Sequence, residues 1–427
     1  MCSAMADLRS VPVAPGRLPG IGHLAALARG PLDFLVALRE SGDIVRVDLG
    51  PKPVYFLTAP RLHRQALTSP GFSRGRIYER ARTLFGNGLA TSDGALHLRQ
   101  RRLVQPLFHR AHVESYFGMM LAQARALSDS WSHGQVVAVD RAMSDLMLKI
   151  VVTALTSRDI GRSAAAEIHR LMPVIMKGIA LRMITPVHPR FDAAADRLRA
   201  LVGELILGYR ASSGEGSDLL AMLVAADMSD EQICDEVVSL LMAGTETPSS
   251  TLAWIFHELA QHPSVEQRLH AEVDSAPVTL STLGQLEYTR RVVTEALRLH
   301  PTLLFTLRAT QDVSLGGVQF PAGVEVAYSP YALHRDPSLY PSPLHFDPDR
   351  SVPDVFSPFN FGVHKCVGEH FALAEMMVTV ATVAARWSLR PCGPVREVLA
   401  IVPRPRSLPM RAVARVGTSC FPAWGSA

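Results

Sequence analysis

Apolar residues recur at three- and four-residue spacing along most of this chain and alternate in only a few short stretches. That balance predicts a mainly α fold with a smaller β-rich part. The longest helical run begins at Ser229, which with Gln232 three residues later makes a capping signature, and it stops at His262-Pro263. Its roughly 33 residues would reach about 50 Å, enough to cross a domain. Shorter helices are predicted over 31–41, 60–68, 97–106, 288–300 and 369–385, and several more between 113 and 227. Residues 44–49 and 54–57 alternate around Gly50-Pro51-Lys52-Pro53 as a hairpin, and 303–330 and 399 onward read as short strands and turns. Residues 71–94 have little period and read as a long loop. We expect one domain over 1–427, with 1–15 disordered and 412–427 an irregular tail.

Composition narrows the class. Apolar residues make up 48% of the 427, ample for a deep core. The net charge of +4 is mild and scattered, which argues against nucleic acid as a partner. Five cysteines, Cys2, Cys234, Cys366, Cys392 and Cys420, are odd in number and form no Cys-x-x-Cys pair, so a reducing compartment, the cytoplasm, is expected. The apolar stretch 21–38 is interrupted by His23, Arg29, Pro31 and Asp33 and predicts no transmembrane anchor.

Candidate chemistry gathers at two places. Between Val237 and Phe256 the long helix carries a single formal charge, Glu246, which is costly unless water, a partner or chemistry compensates it. Leu240, Ala243, Gly244 and Thr247 fall on one face, and two of them are small enough to admit a flat ligand. Pro248 has no N–H for the carbonyl of Gly244, so that carbonyl is freed beside the acid and the alcohol. The second place is Phe359-Asn360-Phe361-Gly362-Val363-His364-Lys365-Cys366-Val367-Gly368, which sets one cysteine at the start of a helix. The helix dipole and unpaired N–H groups there favour a thiolate, either a metal ligand or a nucleophile.

The pattern Phe-x-x-Gly-x-His-x-Cys-x-Gly resembles the haem-binding loop of the cytochrome P-450 superfamily. That resemblance implies a P-450-like fold, with the long helix lying over haem b and Cys366 as the axial ligand of its iron. Phe359, Gly362, His364 and Gly368 then belong to the cofactor loop. Ala243-Gly244-Thr245-Glu246-Thr247 resembles the family's oxygen-activating groove, which makes Glu246 and Thr247 the catalytic acid and alcohol; Pro248 departs from the Thr or Ser common there. His97 and Arg101, four apart on one helix face, and Arg308 match family positions that meet the haem propionates. Glu295 and Arg298, with the later Arg350, resemble the family's structural Glu-x-x-Arg and its arginine partner.

A thiolate ligand favours O–O cleavage, where a histidine ligand serves globins and peroxidases. The resemblance therefore implies a monooxygenase that inserts one atom of O2 into a bulky apolar small molecule, similar to bacterial members that oxidise terpenoids in secondary metabolism. The expected pocket walls are Leu240, Ala243, Leu303, Leu304 and Phe305. Core packing is expected for most of Met172, Ile175, Met176, Ile179, Met183 and Pro186, while the resemblance implies that this region roofs the pocket. No nucleotide fingerprint is present, so a ferredoxin- or flavodoxin-type donor with its reductase is expected as partner, docking near Arg99, Arg102, Arg110 and Lys365. A monomer is expected. The alternatives are a peroxide-driven peroxygenase, which family members lacking the acid and alcohol pair represent, and a non-catalytic haem-binding or sensing protein. A hydrolytic role for Cys366 finds no supporting order of histidine and carboxylate.

Overall fold

The computed structural model describes residues 7–49, 52–156, 161–182, 188–211, 218–226, 228–399 and 401–415. The capping box forms as the spacing predicts: the Ser229 side chain accepts from the Gln232 N–H, and Gln232 accepts from the Ser229 N–H. From it the long helix Asp230–Gln261 runs through Pro248 without interruption. Its flanks are covered by Val139–Leu155 and Pro189–Ala211, which bury Leu148, Val151, Leu198 and Val202 against Val237, Val238 and Leu241. A second layer places Glu369–Ala384 against Arg110–Asp129, and its core runs from Met120 to Val380 and Ala381.

The β-rich part is a five-stranded sheet in the order Ile44–Leu49, Lys52–Leu57, Glu325–Tyr328, Phe305–Ala309, Phe72–Arg74. The first two strands form the predicted hairpin, with Ile44 opposite Leu57 and Leu49 opposite Lys52. Lys52–Leu57 then pairs in parallel with Glu325–Tyr328, which joins segments from opposite ends of the chain.

Three expectations are corrected. Residues 71–94 are not one loop, because Phe72–Arg74 adds a strand and Arg76–Phe85 forms a helix that buries Leu84 and Phe85. Residues 7–15 are placed, with Val11 and Ala14 buried and Val13 bridged to Arg46; residues 1–6 lie outside the described ones. The tail is regular as far as Ala414, since Pro409–Ala414 pairs with both Trp387–Pro391 and Val136–Ala138. Residues 416–427 lie outside the described ones.

Glu295 and Arg298 sit on the helix Glu287–Leu299 and are almost wholly buried. Arg298 donates twice to Glu295, at 2.7 and 2.8 Å, and its remaining N–H groups reach the carbonyls of His334, Pro343 and His345. Arg350 Nε lies 3.4 Å from Glu295 Oε1, which also accepts from the Asp347 N–H. This node pins the chain leading to the cysteine loop against the helical core.

Candidate active site

A cavity with an empty volume of about 1360 Å³, counted out to its open mouth, lies between the long helix and the start of Glu369–Ala384. Its lining is strongly apolar. Leu240, Ala243, Gly244 and Thr247 face it as their spacing predicts, joined by Pro248 and Thr251 one turn further on. Gly244 is small for a second reason: a methyl group there would stand 2.8 Å from Val151 Cγ2, so the neighbouring helix also packs on that turn.

On the opposite wall stand Phe359, His364, Cys366 and Gly368. The loop folds through a 3₁₀ turn, Gly362–His364, and the Cys366 N–H donates to Phe359 O at 2.8 Å. Gly362 has φ +69°, and a Cβ there would lie 2.2 Å from the Leu67 carbonyl oxygen, so only glycine lets this turn press on the preceding helix. Cys366 is open to the cavity while protein surrounds it on its other sides. Burial pushes its thiol above the ordinary value; the Gly368 N–H, Arg101 and Lys365 pull it back, and Glu369 adds to the rise. Deprotonation of this thiol belongs with metal binding.

The predicted cations divide. Arg101 NH1 donates to the carbonyls of Val363 and Lys365, at 3.2 and 2.6 Å, and His97 Nε2 lies 3.1 Å from Val363 O, so both fix the cysteine loop. Burial lowers His97 to about 4, which keeps it neutral. His364 lines the cavity with Nε2 on Asp93 Oδ1 at 3.2 Å, while its Nδ1 is buried without a partner. Arg308 does not reach the cavity. Its guanidinium is taken by Glu79, at 2.6 and 3.0 Å, with Glu325 at 3.5 Å, because the sheet sets Arg308 beside the helix that carries Glu79. Arg74, on the adjacent strand, is the cation that lines the cavity instead.

The pocket walls need a similar correction. Phe305 lines the cavity, but Leu303 and Leu304 pack on the cluster of Leu35, Val54 and Phe56 beneath the sheet. The Leu303 N–H donates to Ile401 O, which holds that extended link away from the cavity. Met172, Ile175 and Met176 are buried in the helical core beside Phe191, the core packing expected for most of that run. The side chains of Ile179, Met183 and Pro186 lie outside the described residues.

Glu246 faces away from the cavity toward Arg404, whose Nε lies 3.6 Å from its Oε1. Burial raises its carboxyl and Arg404 lowers it. The carboxyl that does line the cavity is Glu375, which burial pushes well above the ordinary range, with both oxygens unpartnered. It is the single formal charge between Phe371 and Ala384 of that helix, the same signal that singles out Glu246.

Among the described residues no group of three or more His, Cys, Asp or Glu side chains could hold a metal ion. An iron on Cys366 would take its other ligands from a cofactor. The residues fit haem b: a thiol donor open to the cavity, small residues opposite it, and Arg74 with the unpartnered Nδ1 of His364 at its polar edge.

A family model described as Cytochrome P450 matches residues 12–400. Cyclooctatin synthase of Streptomyces melanosporofaciens is 40% identical, with 92% of each chain covered. Cyclooctat-9-en-7-ol 5-monooxygenase of the same organism is 39% identical over 88% of this chain and 89% of the relative. Pentalenene oxygenase of Streptomyces avermitilis is 35% identical over 94% and 97%. Among solved structures, the cytochrome P450DA heme domain superposes with a TM-score of 0.86 at 27% identity, covering 97% of this chain and 99% of that one. No described helix is long and apolar enough to cross a membrane. With its thiol, cavity and fold in agreement with these relatives, the chain belongs to the cytochrome P450 family and is a haem-thiolate monooxygenase with haem b as its cofactor.

Proposed function

We propose that this P450 hydroxylates a bulky terpenoid skeleton, with electrons from a separate ferredoxin- or flavodoxin-type donor. The observation that carries the reading is the wide apolar cavity between Cys366 and Thr247. It is supported by the relatives, whose names point to an alkene, pentalenene, and an alkenol, cyclooctat-9-en-7-ol.

Haem b, when bound, supplies the cleavage of O2 and the insertion of one oxygen atom into a C–H bond, chemistry beyond side-chain acids and bases. Cys366 would hold it as thiolate, and the Gly368 N–H moderates the donation of that sulfur. Arg74 and His364 would meet its propionates, while His97 and Arg101 keep the cysteine loop in shape. On the opposite side Thr247 offers a hydroxyl inside the cavity, and Glu246, one residue earlier, is the acid that brings protons to it from outside. Leu240, Ala243 and Phe305 exclude water and orient an apolar substrate. Arg99, Arg102, Arg110 and Lys365 are exposed around the thiolate side, and an acidic electron donor suits them.

Spin-state titration of the purified haem protein with terpenes, macrolides and fatty acids tests the substrate class. Terpenes are expected to give the largest shift at the lowest concentration. A response to fatty acids alone overturns the terpenoid reading, and product formed with peroxide but not with O2 and a donor overturns the monooxygenase route.

A further inference from the structure

Glu246 and Arg404 make an incomplete pair. Their separation of 3.6 Å is attractive for charges but beyond hydrogen-bond range, and Glu246 Oε1 and Arg404 Nε are both buried without a hydrogen-bond partner. Each keeps an unused site. The two ends of the arginine also differ: its side chain is 34% exposed, against 12% for Glu246, so it reaches from a buried carboxyl to solvent.

The segment that carries Arg404 is tied to the site at several points. Arg404–Pro405 pairs with Glu397–Val398 in a small hairpin. Just before it, Pro403 O accepts from Trp254 Nε1 at 2.7 Å, which anchors the segment to the long helix two turns beyond Glu246. Val402 is buried and lines the cavity. One short stretch therefore presents an apolar side chain to a ligand and, two residues later, a cation to the acid. Arg404 is the charged group that acts on the Glu246 carboxyl, and it acts in its favour.

We propose that Arg404 is a positioning residue: it holds the Glu246 carboxylate on the hairpin side, and a ligand pressing on Val402 loosens that hold and lets the acid turn toward Thr247. The functional consequence rests on reading Glu246 as the proton-bringing acid, but the positioning itself is measurable without turnover. Thr247 is the next residue on the helix, about 100° round its axis, and the Glu246 side chain has that angle to swing across.

Infrared difference spectra of the resting holoenzyme, wild type minus Glu246→Gln, isolate the Glu246 carboxyl. Arg404→Gln should enlarge its protonated-acid band at fixed pH and move its titration midpoint upward, while Arg404→Lys keeps it near wild type. A terpene that shifts the spin state should move the wild-type band in the same direction as Arg404→Gln. Should Arg404→Gln not fold, Trp254→Phe cuts the Pro403 anchor with Arg404 in place and should give the same direction of shift. A band unmoved by Arg404→Gln, or by Trp254→Phe where the first variant is not recovered, overturns the inference. An unmoved band on terpene binding overturns the ligand-driven release. Unchanged product per reductant in Glu246→Gln would instead remove the proton role of Glu246 and leave the positioning by Arg404 standing.

Discussion

Arg298 and Arg404 each face a glutamate on a helix, and their settings are opposite. Around Arg298 the carboxylate is met twice, three carbonyls accept the remaining N–H groups, and Arg350 and the Asp347 N–H approach the same acid. Around Arg404 one contact at 3.6 Å leaves both partners short of a hydrogen bond. A buried charge with every site filled has no low-energy alternative, so it fixes architecture; one with sites unfilled can exchange partners, and that is what proton movement requires.

The contrast can be broken by mutation. Arg298→Ala should cost about 3–5 kcal/mol in denaturant unfolding, because it strands a buried carboxylate. A loss under about 1 kcal/mol would mean that the filled network does not hold the fold. Glu246→Gln should change stability by less than about 1 kcal/mol yet lower product formation by roughly 10²-fold, the usual worth of a positioned proton donor; equal losses in both would make the two pairs alike.

Acid titration sharpens the same point. His334, whose carbonyl accepts from Arg298, is wholly buried with both ring nitrogens unpartnered, and burial lowers it to about 3. Its ordinary value is 6.5, so between pH 6.5 and about 3 the unfolded chain binds a proton that the folded one refuses. Stability should therefore fall as pH drops through that window, by up to about 1.4 kcal/mol per pH unit, and chemical unfolding at pH 7, 6 and 5 measures the slope. His334→Gln should flatten it. Glu375→Gln should have the smallest effect, within about 1 kcal/mol at pH 7, since burial pushes that carboxyl well above its ordinary range and an amide closely replaces the protonated acid this favours. A larger change would show that Glu375 is ionised and paired.

Much of this arrangement could be read from the chain because it is local. The face of Leu240, Ala243, Gly244 and Thr247 follows from helical spacing, the Glu295–Arg298 pair from a three-residue interval, and the Cys366 loop from ten consecutive residues. What could not be read depends on pairing across sequence distance. Glu79 claims Arg308 from 229 residues away, and only the strand register that sets Ser73 against Arg308 brings the two regions together. Arg404 meets Glu246 through a two-residue strand pairing too short to give a periodic signal. Leu303 and Leu304 look like pocket walls because they are apolar and precede Phe305, yet they pack, partly buried, on the cluster beneath the sheet. The helix Arg76–Phe85 does carry its apolar residues, Ile77, Tyr78, Ala81, Leu84 and Phe85, at helical spacing; the glycines at 71, 75, 86, 88 and 94 around it are what make the stretch look like a loop.

The Arg298 node also bears on the order in which the molecule assembles. Its partners lie at most 55 residues apart in sequence, whereas the lining of the cavity brings Arg74 together with Cys366. Closing a loop about five times longer costs roughly 1.5 kcal/mol more in chain entropy. The node can thus close first, while the chain still lacks its cofactor, and lay down a scaffold on which the cysteine loop waits. In a nascent chain this separates two events, folding of the helical base and capture of haem, and lets the second be reversible without undoing the first.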